Sequence, residues 1–259
     1  MRIVLGCRAT AGALEGEVSL QIQPQCHDCG CSRILFDPDL VTDPSPALFL
    51  PSNYLQSGAV DTEEGRGSNY FVRHGESAWV LRHYRRGGLV GKVIHDRYFK
   101  TGTQNSRPWR EWHLLALLHA EGFPVPRPVA AHYLPGLLTY RADLITEEIR
   151  GVTTLSGLLS QGGLGAATWL ELGQLLRRFH RRGVFHADLN AHNILVDHLG
   201  SFFLLDFDRG ELRSPGRWRE SNLERLHRSL LKLKGQRQGF SFETSNWLEL
   251  LHGYQQFPA

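Results

Sequence analysis

Hydrophobic residues recur with two different periods along the chain, and the two periods dominate different halves. Short runs in which β-branched and aromatic residues are contiguous or alternate predict strands, and these runs cover residues 70–72, 78–84, 144–146, 194–196 and 202–205. Apolar residues spaced three or four apart predict helices, which cover residues 108–120, about 167–182, and a later stretch marked by Leu223, Leu226, Leu230 and Leu233. Strands with one helix, followed by helices with one hairpin, predict an α+β fold in two unequal lobes.

Proline and glycine mark where these elements end. Pro108 suits the first turn of the helix at 108–120, and Gly122, followed by a proline-rich stretch, ends it. Four prolines between residues 33 and 54 predict irregular chain leading into the fold. Residues 85–104 are basic and contain glycine, so we expect a loop there.

The composition fits one large domain or two lobes that share a cleft. The chain has 259 residues, of which 41% are hydrophobic and 21% charged. No apolar run reaches the ~20 residues of a membrane-spanning helix, and the first residues lack a secretory h-region, so we expect a cytoplasmic protein. We divide the chain into a poorly ordered N-terminal extension at residues 1–32, an N-lobe at 33–146 and a C-lobe at 147–259.

All four cysteines, Cys7, Cys26, Cys29 and Cys31, lie within the first 31 residues, so the core fold does not depend on a disulfide. The cluster at residues 26–31 could bind zinc in principle. A structural zinc site usually needs a second ligand pair, however, and none follows. We therefore expect this segment to lie outside the fold, and a chain beginning at Arg33 to fold and remain active.

Charge is distributed unevenly. Residues 1–64 contain three Lys/Arg and nine Asp/Glu, whereas the whole chain has a net charge of +3. Residues 213–237 contain eight Lys/Arg against two Asp/Glu. A basic body of this kind indicates an anionic partner, which can be a nucleotide, a nucleic acid or an acidic lipid surface.

The strongest chemical signal is the string HADLNAHN at residues 186–193, followed 13 residues after its last Asn by DFD at residues 206–208. Phosphoryl transfer needs an oriented acceptor hydroxyl, a base for its proton and a metal ion that neutralises phosphate charge. Magnesium prefers the oxygen ligands that Asn and Asp supply. A loop and a hairpin that ends in an acid would bring Asp188, Asn193 and Asp206 to one cleft. The string alone could be ordinary turn residues, but the sequence of elements around it makes it specific.

This arrangement resembles the catalytic loop and metal-binding Asp of protein-kinase-like enzymes, which have a small β-rich N-lobe and a mainly helical C-lobe. The resemblance implies that Asp188 is the catalytic base and that His186 supports the loop. It also implies that Asn193 and Asp206 bind Mg²⁺ and that ATP is the phosphate donor.

The same resemblance implies nucleotide-binding positions in the first half. Gly65 and Gly67 would belong to a glycine-rich loop in which backbone N–H groups approach the phosphates, although an ordinary turn is the alternative. Glu147 and Ile149 would form the hinge that holds adenine through main-chain atoms.

Arg82 stands where a strand lysine would contact the phosphates, and Glu111 stands on the next helix as its partner. An isolated Glu on a helix is more often a solvated surface residue.

Ala187 replaces the arginine common before the catalytic Asp, Asp208 replaces a glycine, and no APE motif follows. These departures argue against a regulated protein kinase.

Several stretches together resemble the 3-deoxy-D-manno-octulosonic acid (Kdo) kinases, lipopolysaccharide-core enzymes related to the heptose kinases. The likeness covers about residues 33–255 and leaves residues 1–31 outside. Its motifs are GRG at 65–67, VLRHYRRGGLVGK at 80–92, REW at 110–112, PVPRP at 124–128, HADLN at 186–190 and DFDRG at 206–210. The RHYRRGG run is the most specific of them, and in this family arginine is expected at position 82.

The resemblance implies ATP-dependent phosphorylation of the 4-hydroxyl of Kdo on a Kdo–lipid A precursor at the cytoplasmic face of the bacterial inner membrane. The leucines and basic residues of 213–237 fit an amphipathic helix facing an anionic membrane surface, although an ordinary solvated helix is an equal alternative.

Three other functions stay open to different degrees. The acceptor can be another small molecule, such as a heptose or an aminoglycoside. A pseudokinase that only binds nucleotide or membrane is disfavoured, because Asp188, Asn193 and Asp206 are all present. A nucleic-acid-binding module would need aromatic residues among its basic ones, and residues 213–237 offer only Trp218, so we expect no nucleic-acid partner.

Overall fold

A computed structural model describes residues 22–57, 60–62, 69–84, 98–99 and 102–256. Gly65 and Gly67, and most of the loop expected at 85–104, lie outside these residues. The strands are β1 Gln25–Cys29, β2 Ser32–Phe36, β3 Val60–Thr62, β4 Asn69–His74, β5 Ser77–His83, β6 Tyr98–Phe99, β7 Pro128–Pro135, β8 Thr139–Glu147, β9 Val152–Thr154, β10 Val184–Phe185, β11 Ile194–Asp197, β12 Phe202–Leu204 and β13 Glu211–Leu212. The helices are α1 Arg107–Ala120, α2 Leu155–Gln161, α3 Ala166–Arg181, α4 Trp218–Gln236 and α5 Thr244–Gln256, with short 3-10 helices at Pro46–Phe49 and Pro51–Ser57.

The first half forms one antiparallel sheet of eight strands. Their order is β1-β2-β7-β8-β5-β4-β3, and β6 pairs with β8. The second half is mainly helical, with a three-stranded sheet β12-β11-β9 and the small pair β10-β13. The predicted α+β class, with a β-rich first part and a helical second part, is confirmed.

The sheet begins earlier in the chain than the prolines predict. Ser32–Phe36 is a strand between β1 and β7, so the prediction of irregular chain at 33–54 is wrong for its first residues. Gly30, with a φ of +63°, turns β1 into β2, and Ile22 is only 1% exposed. The expected lack of order is therefore wrong for residues 22–32, because β1 pairs with β2 and four of the five residues of β2 are buried.

Helix α1 carries the residues that the 3.6-residue period predicts to be buried. Trp109, Trp112, Leu115 and Leu118 are all buried and pack in the hydrophobic core beside β7 and β8. Glu111 is buried with them at the edge of this face. Packing of α1 on the sheet thus brings one carboxylate toward the neighbouring strand β5.

Helices α3 and α5 make the closest contact in the C-terminal part. A Cβ at Gly173 would stand 2.0 Å from the carbonyl oxygen of Leu250, and one at Gly253 would stand 1.9 Å from that of Leu170. Only glycine permits these two helix backbones to approach so closely. Helix α3 also contacts β10, the short strand that leads into the following loop.

The β11–β12 hairpin is confirmed, with Ile194 opposite Leu204 in its register. Helices α1, α3 and α4 also match their predicted positions. The sequence patterns missed β7, α2 and α5. Among the helices in the described part of the chain, none has the length and apolar character needed to cross a membrane.

Candidate active site

The loop after β10 is anchored from below by a buried histidine. His186 Nε2 donates to the Leu205 carbonyl across 2.8 Å, and its Nδ1 accepts the Asp188 N–H across 3.2 Å. Burial lowers the pKa of His186 despite the opposing effect of the Leu205 hydrogen bond, so the ring is neutral at pH 7. His186 therefore acts through the loop, as a positioning residue for Asp188.

Two asparagines complete the loop. Asn190 Oδ1 accepts the N–H of His192 at 2.8 Å and that of Asn193 at 3.2 Å, while its Nδ2 donates to Asp188 Oδ2 at 3.1 Å. Asn193 Nδ2 donates to the Asp188 carbonyl at 2.9 Å. The Asp188 carboxylate is left 57% exposed, where an acceptor can reach it.

Asp206 is brought beside this loop through the main chain. The Leu205 N–H donates to the Asn193 carbonyl at 2.9 Å, which ties together the two segments that carry the predicted metal ligands. Asp206 itself has a φ of 59°, a left-handed conformation that costs a non-glycine residue about 1–3 kcal/mol and is typical of functional sites.

The side-chain oxygens of Asn193 and Asp206 suit a magnesium ion. Among the described residues, Asn193 Oδ1 and Asp206 Oδ2 have no hydrogen-bond partner. No group of three or more His, Cys, Asp or Glu in that part of the chain could hold a metal. One amide oxygen and one carboxylate are nevertheless what Mg²⁺ takes when nucleotide phosphates and waters complete its octahedron.

Arg82 joins the sheet to the catalytic segment. Its Nη2 donates to Glu111 Oε2 at 2.5 Å and to Tyr84 OH at 3.1 Å, and its Nη1 donates to Asp206 Oδ1. Tyr84 OH donates to Glu111 as well. The expected inward pairing of Glu111, which is 2% exposed, is therefore present, and Asp206 belongs to the same network.

The pKa values of Arg82, Glu111 and Asp206 are shifted by burial and by the charges of their partners. Burial by itself lowers the pKa of Arg82, but the carboxylates of Glu111 and Asp206 outweigh it and raise that pKa well above its usual value. Burial raises the pKa of Glu111 more than Arg82 lowers it. For Asp206, the charge of Arg82 outweighs burial, and its pKa lies below the usual value. Asp206 is therefore ionised, which its predicted role as a metal ligand requires.

Asp208, the departure from glycine, has a partner of its own. Arg107, the first residue of α1, donates from Nε to Asp208 Oδ1 at 2.6 Å and from Nη2 to Oδ2. Between the two acids, Phe207 is fully buried, with its ring centroid 4.9 Å from that of His186. The bidentate pair ties α1 to the segment that carries Asp206.

The predicted hinge lies at the end of β8. The Glu147 N–H donates to the Arg127 carbonyl and the Glu148 N–H to the Ala78 carbonyl, each at 2.9 Å. Ile149 follows them in irregular chain and is partly buried. These bonds fix the backbone of the hinge between β5 and β7.

Three contributors to the site were missed from the sequence. Arg225 of α4 donates from Nη1 to Asp188 Oδ1 at 2.8 Å. Asn222 holds the main chain of His186 through two hydrogen bonds of 3.0 and 3.1 Å. Tyr84 belongs to the Arg82 network. The only available signal was the helical spacing of Asn222 and Arg225 in a segment noted for its charge.

The comparisons with known proteins agree with this geometry. Residues 53–254 match the sequence model of the lipopolysaccharide kinase (Kdo/WaaP) family. The chain belongs to this family. The kinase-like fold predicted from the resemblance is thereby confirmed, and so is a phosphotransferase with an alcohol group as acceptor.

Three relatives of the chain carry one name. A 3-deoxy-D-manno-octulosonic acid kinase of Stenotrophomonas maltophilia (strain K279a) is 46% identical over 209 residues, which are 80% of this chain and 84% of that protein. The protein of that name from Xylella fastidiosa (strain M23) is 42% identical over 217 residues, covering 83% and 87%. The one from Xanthomonas campestris pv. campestris (strain B100) is 46% identical over the same length and coverage.

Proposed function

We propose that this Kdo/WaaP kinase transfers the γ-phosphate of ATP to the 4-hydroxyl of Kdo on a Kdo–lipid A precursor. The observation that carries the proposal is the position of Asp188. Its loop is hydrogen-bonded to Asn193 on one side, and its carboxylate lines a basic cavity on the other. The base therefore stands between a site suited to nucleotide and metal and a site suited to an anionic acceptor.

The reacting groups have distinct roles. Asp188 accepts the proton of the acceptor hydroxyl, while the hydroxyl oxygen bonds to the γ-phosphorus and the bond to the leaving ADP breaks. Asn193 and Asp206 would hold Mg²⁺, which would supply positive charge to neutralise the phosphates. Arg82, kept in place by Glu111, presents its guanidinium toward the phosphates beside Asp206.

Adenine binding is assigned to the hinge. The backbone of Glu147 and Glu148 is fixed by hydrogen bonds to both neighbouring strands, so the main-chain groups around Ile149 keep one orientation. A fixed set of donors and acceptors binds a planar base without an ordering cost. Gly65 and Gly67 remain candidates for the loop over the phosphates.

The acceptor is assigned from the names of the relatives and from charge. Each of those proteins is named for a kinase that acts on a sugar acid. Helix α4 has an exposed basic face, which suits the carboxylate of Kdo and the phosphates of lipid A. Arg82 does not contribute to this face, because it lies on β5 and is held by Glu111 and Asp206 on the nucleotide side of the site.

The location follows from the acceptor. A Kdo–lipid A precursor is embedded in a bilayer, so we place the enzyme at the cytoplasmic face of the inner membrane as a peripheral protein. Exposed lysine and arginine side chains outside the acceptor site would each gain about 1 kcal/mol near an anionic surface.

The test is transfer of labelled phosphate from ATP to Kdo–lipid A precursor, to the same lipid without Kdo, to heptose and aminoglycoside acceptors, and to a peptide. We expect label only on the Kdo acceptor, with the phosphate at O4 in the NMR spectrum of the product. Equal labelling of the lipid without Kdo would move the acceptor site to lipid A. If only the heptose or the aminoglycoside were labelled, that molecule would be the acceptor and not Kdo. If none of the tested acceptors were labelled, the result would favour a pseudokinase.

A further inference from the structure

A cavity of about 420 Å³ opens directly beside the proposed base. The catalytic loop forms one wall through Asp188, Asn190 and His192, and α4 forms the other. A volume of this order falls in the range of sites that hold small ligands. Its position next to the Asp188 carboxylate makes it the space into which a sugar carrying the reacting hydroxyl would enter.

The wall from α4 is cationic because of helical spacing. Arg225, Arg228 and Lys232 follow one another at intervals of three and four residues and so share one face. The opposite face is apolar and holds the helix on the core through Leu226 and Leu230, both 0% exposed. The three cations are therefore held toward the cavity by the burial of the other side.

Two of these cations have little to neutralise them. Arg225 is paired with Asp188. Arg228 has Glu224 at 3.6 Å, but both side chains are about two-thirds exposed, which makes the pair weak. Within the described part of the chain, Lys232 has no ion pair or hydrogen bond. The wall of the cavity thus carries an excess of positive charge next to the carboxylate of Asp188.

The histidine of the wall is already bonded within the protein. His192 Nδ1 is hydrogen-bonded to Ser156 Oγ at 2.9 Å. Arg228 and Lys232 are the wall residues that combine a positive charge with a free or weakly paired head group. Recognition of an anion in this cavity is therefore assigned to these two side chains.

We propose that Arg228 and Lys232 bind the carboxylate of the acceptor sugar while the reacting hydroxyl of the same sugar lies against Asp188. This assignment rests on the proposed function and adds to it the residues that select a sugar acid. Arg228, Lys232 and Asp188 line the same cavity, and its volume is in the range of sites that hold a small ligand. The carboxylate thus belongs inside the cavity, whereas phosphates on more distant sugars belong to the membrane-facing surface.

The first arm of the test is kinetic. We expect Arg228→Gln and Lys232→Gln each to raise KM for Kdo–lipid A precursor about 10-fold, since a hydrogen bond between charged groups is lost, with KM for ATP unchanged. Arg217→Gln is the matched control, because it removes one exposed cation just before α4 that does not line the cavity. An acceptor with its carboxyl reduced to an alcohol should show the same raised KM in the wild type and in both variants.

The second arm needs no turnover. Calorimetric binding of free Kdo should weaken about 10-fold in either variant, and carboxyl-reduced Kdo should bind the wild type and the variants equally. If the wild type transfers phosphate but both variants keep wild-type KM and Kd, the assignment of Arg228 and Lys232 is wrong while the proposed function stands. If the wild type transfers nothing to Kdo, the proposed function fails, and the binding arm still decides the assignment. The variants could also show a raised KM that returns to the wild-type value when lipid A is dephosphorylated but not when the carboxyl of Kdo is reduced. That result would mean that Arg228 and Lys232 bind a phosphate of lipid A, and the assignment to the carboxylate would be wrong.

Discussion

Arg225 reaches from α4 to the catalytic loop and donates from Nη1 to Oδ1 of Asp188 across 2.8 Å. Asn190 donates to the other carboxylate oxygen at 3.1 Å. The two donors fix the plane of the carboxylate and leave lone pairs that point away from both. If Asp188 is the base that we propose, a carboxylate held in this way would meet the acceptor hydroxyl in one orientation, which is the condition for efficient proton transfer.

Arg225→Gln should lower kcat about 10-fold at saturating acceptor, because a misplaced base loses part of its orientation. KM for ATP should not change, since Arg225 is bonded to the carboxylate of Asp188 on the acceptor side. Steady-state kinetics with both substrates varied measure this. Arg225→Lys should recover part of the loss through its remaining charge, and a wild-type kcat for Arg225→Gln would show that Asp188 needs no such support.

Asp188→Ala should abolish turnover while leaving nucleotide affinity nearly intact. A general base contributes about 10²–10⁴ in rate, and the Asp188 carboxylate faces the acceptor cavity. Turnover and calorimetric binding of a non-hydrolysable ATP analogue are the two measurements. If the Asp188→Ala variant kept half the wild-type rate, Asp188 would not be the catalytic base.

Asn193→Ala and Asp206→Ala should behave differently from Asp188→Ala, because their oxygens are assigned to Mg²⁺. Both should weaken magnesium-dependent binding of the nucleotide as well as the rate. Titration of nucleotide binding against Mg²⁺ shows the difference. An unaltered magnesium requirement in both variants would contradict the metal assignment. Asp206→Ala also removes one partner of Arg82, so its folding should be checked by circular dichroism.

Removal of residues before Arg33 should destabilise the protein. A chain beginning at Arg33 lacks β1 and the buried Ile22, whereas a chain beginning at Ile22 keeps both. Burial of one such side chain is worth about 1.5–3 kcal/mol, so we expect the shorter chain to melt at least about 5 °C lower. Thermal unfolding of the two chains side by side gives the result. Equal melting temperatures would restore the expectation from the sequence that this segment lies outside the fold.

The stability should fall as the pH is lowered from about 6.5 to about 4. His180 is 2% exposed, and its Nδ1 is hydrogen-bonded to Tyr254 OH across 2.8 Å. Burial lowers the pKa of this histidine from 6.5 to about 4. In this interval the unfolded chain binds a proton that the folded chain does not. The contribution of His180 is therefore complete above pH 6.5 and is lost toward pH 4, to a total of about 3 kcal/mol.

Urea unfolding at several pH values measures this loss. His180→Gln should flatten the pH dependence of the unfolding free energy, because the titrating group is gone. His198→Gln is the control, since that side chain is exposed. The buried His186 has a lowered pKa for the same reason and contributes in the same direction. A slope identical in the wild type and in His180→Gln would contradict the prediction.

The parts of the site that sequence reasoning predicted are local in the chain. His186 to Asn193 form one loop, and a hairpin of fixed length carries Asp206, so spacing alone brings them together. The helix of Glu111 was predictable from its apolar period. Arg225 and Asp188, by contrast, are 37 residues apart, and Arg107 and Asp208 are 101 apart. Contacts of that kind depend on how helices pack, which no local pattern specifies.

The missed strands and helices have a similar explanation. Pro128–Pro135 begins and ends with proline and contains two alanines, which disfavour a strand, but neighbours on both sides make it a central one. Gln25–Cys29 is polar and exposed along most of its length, so no hydrophobic alternation marks it. Leu155–Gln161 is only seven residues long. In each case tertiary packing outweighs weak local preference.

The pair between Arg107 and Asp208 has a consequence for drug discovery. Any inhibitor that requires the Phe207 ring to swing out would have to break a bidentate ion pair and empty a fully buried pocket next to His186. Leaving an aromatic core position empty costs about 3–5 kcal/mol, which a ligand would have to recover from new contacts. Rigid heterocycles shaped for the main chain at Glu147 to Ile149, the proposed adenine site, would avoid that cost, and a screen against this enzyme should begin with them.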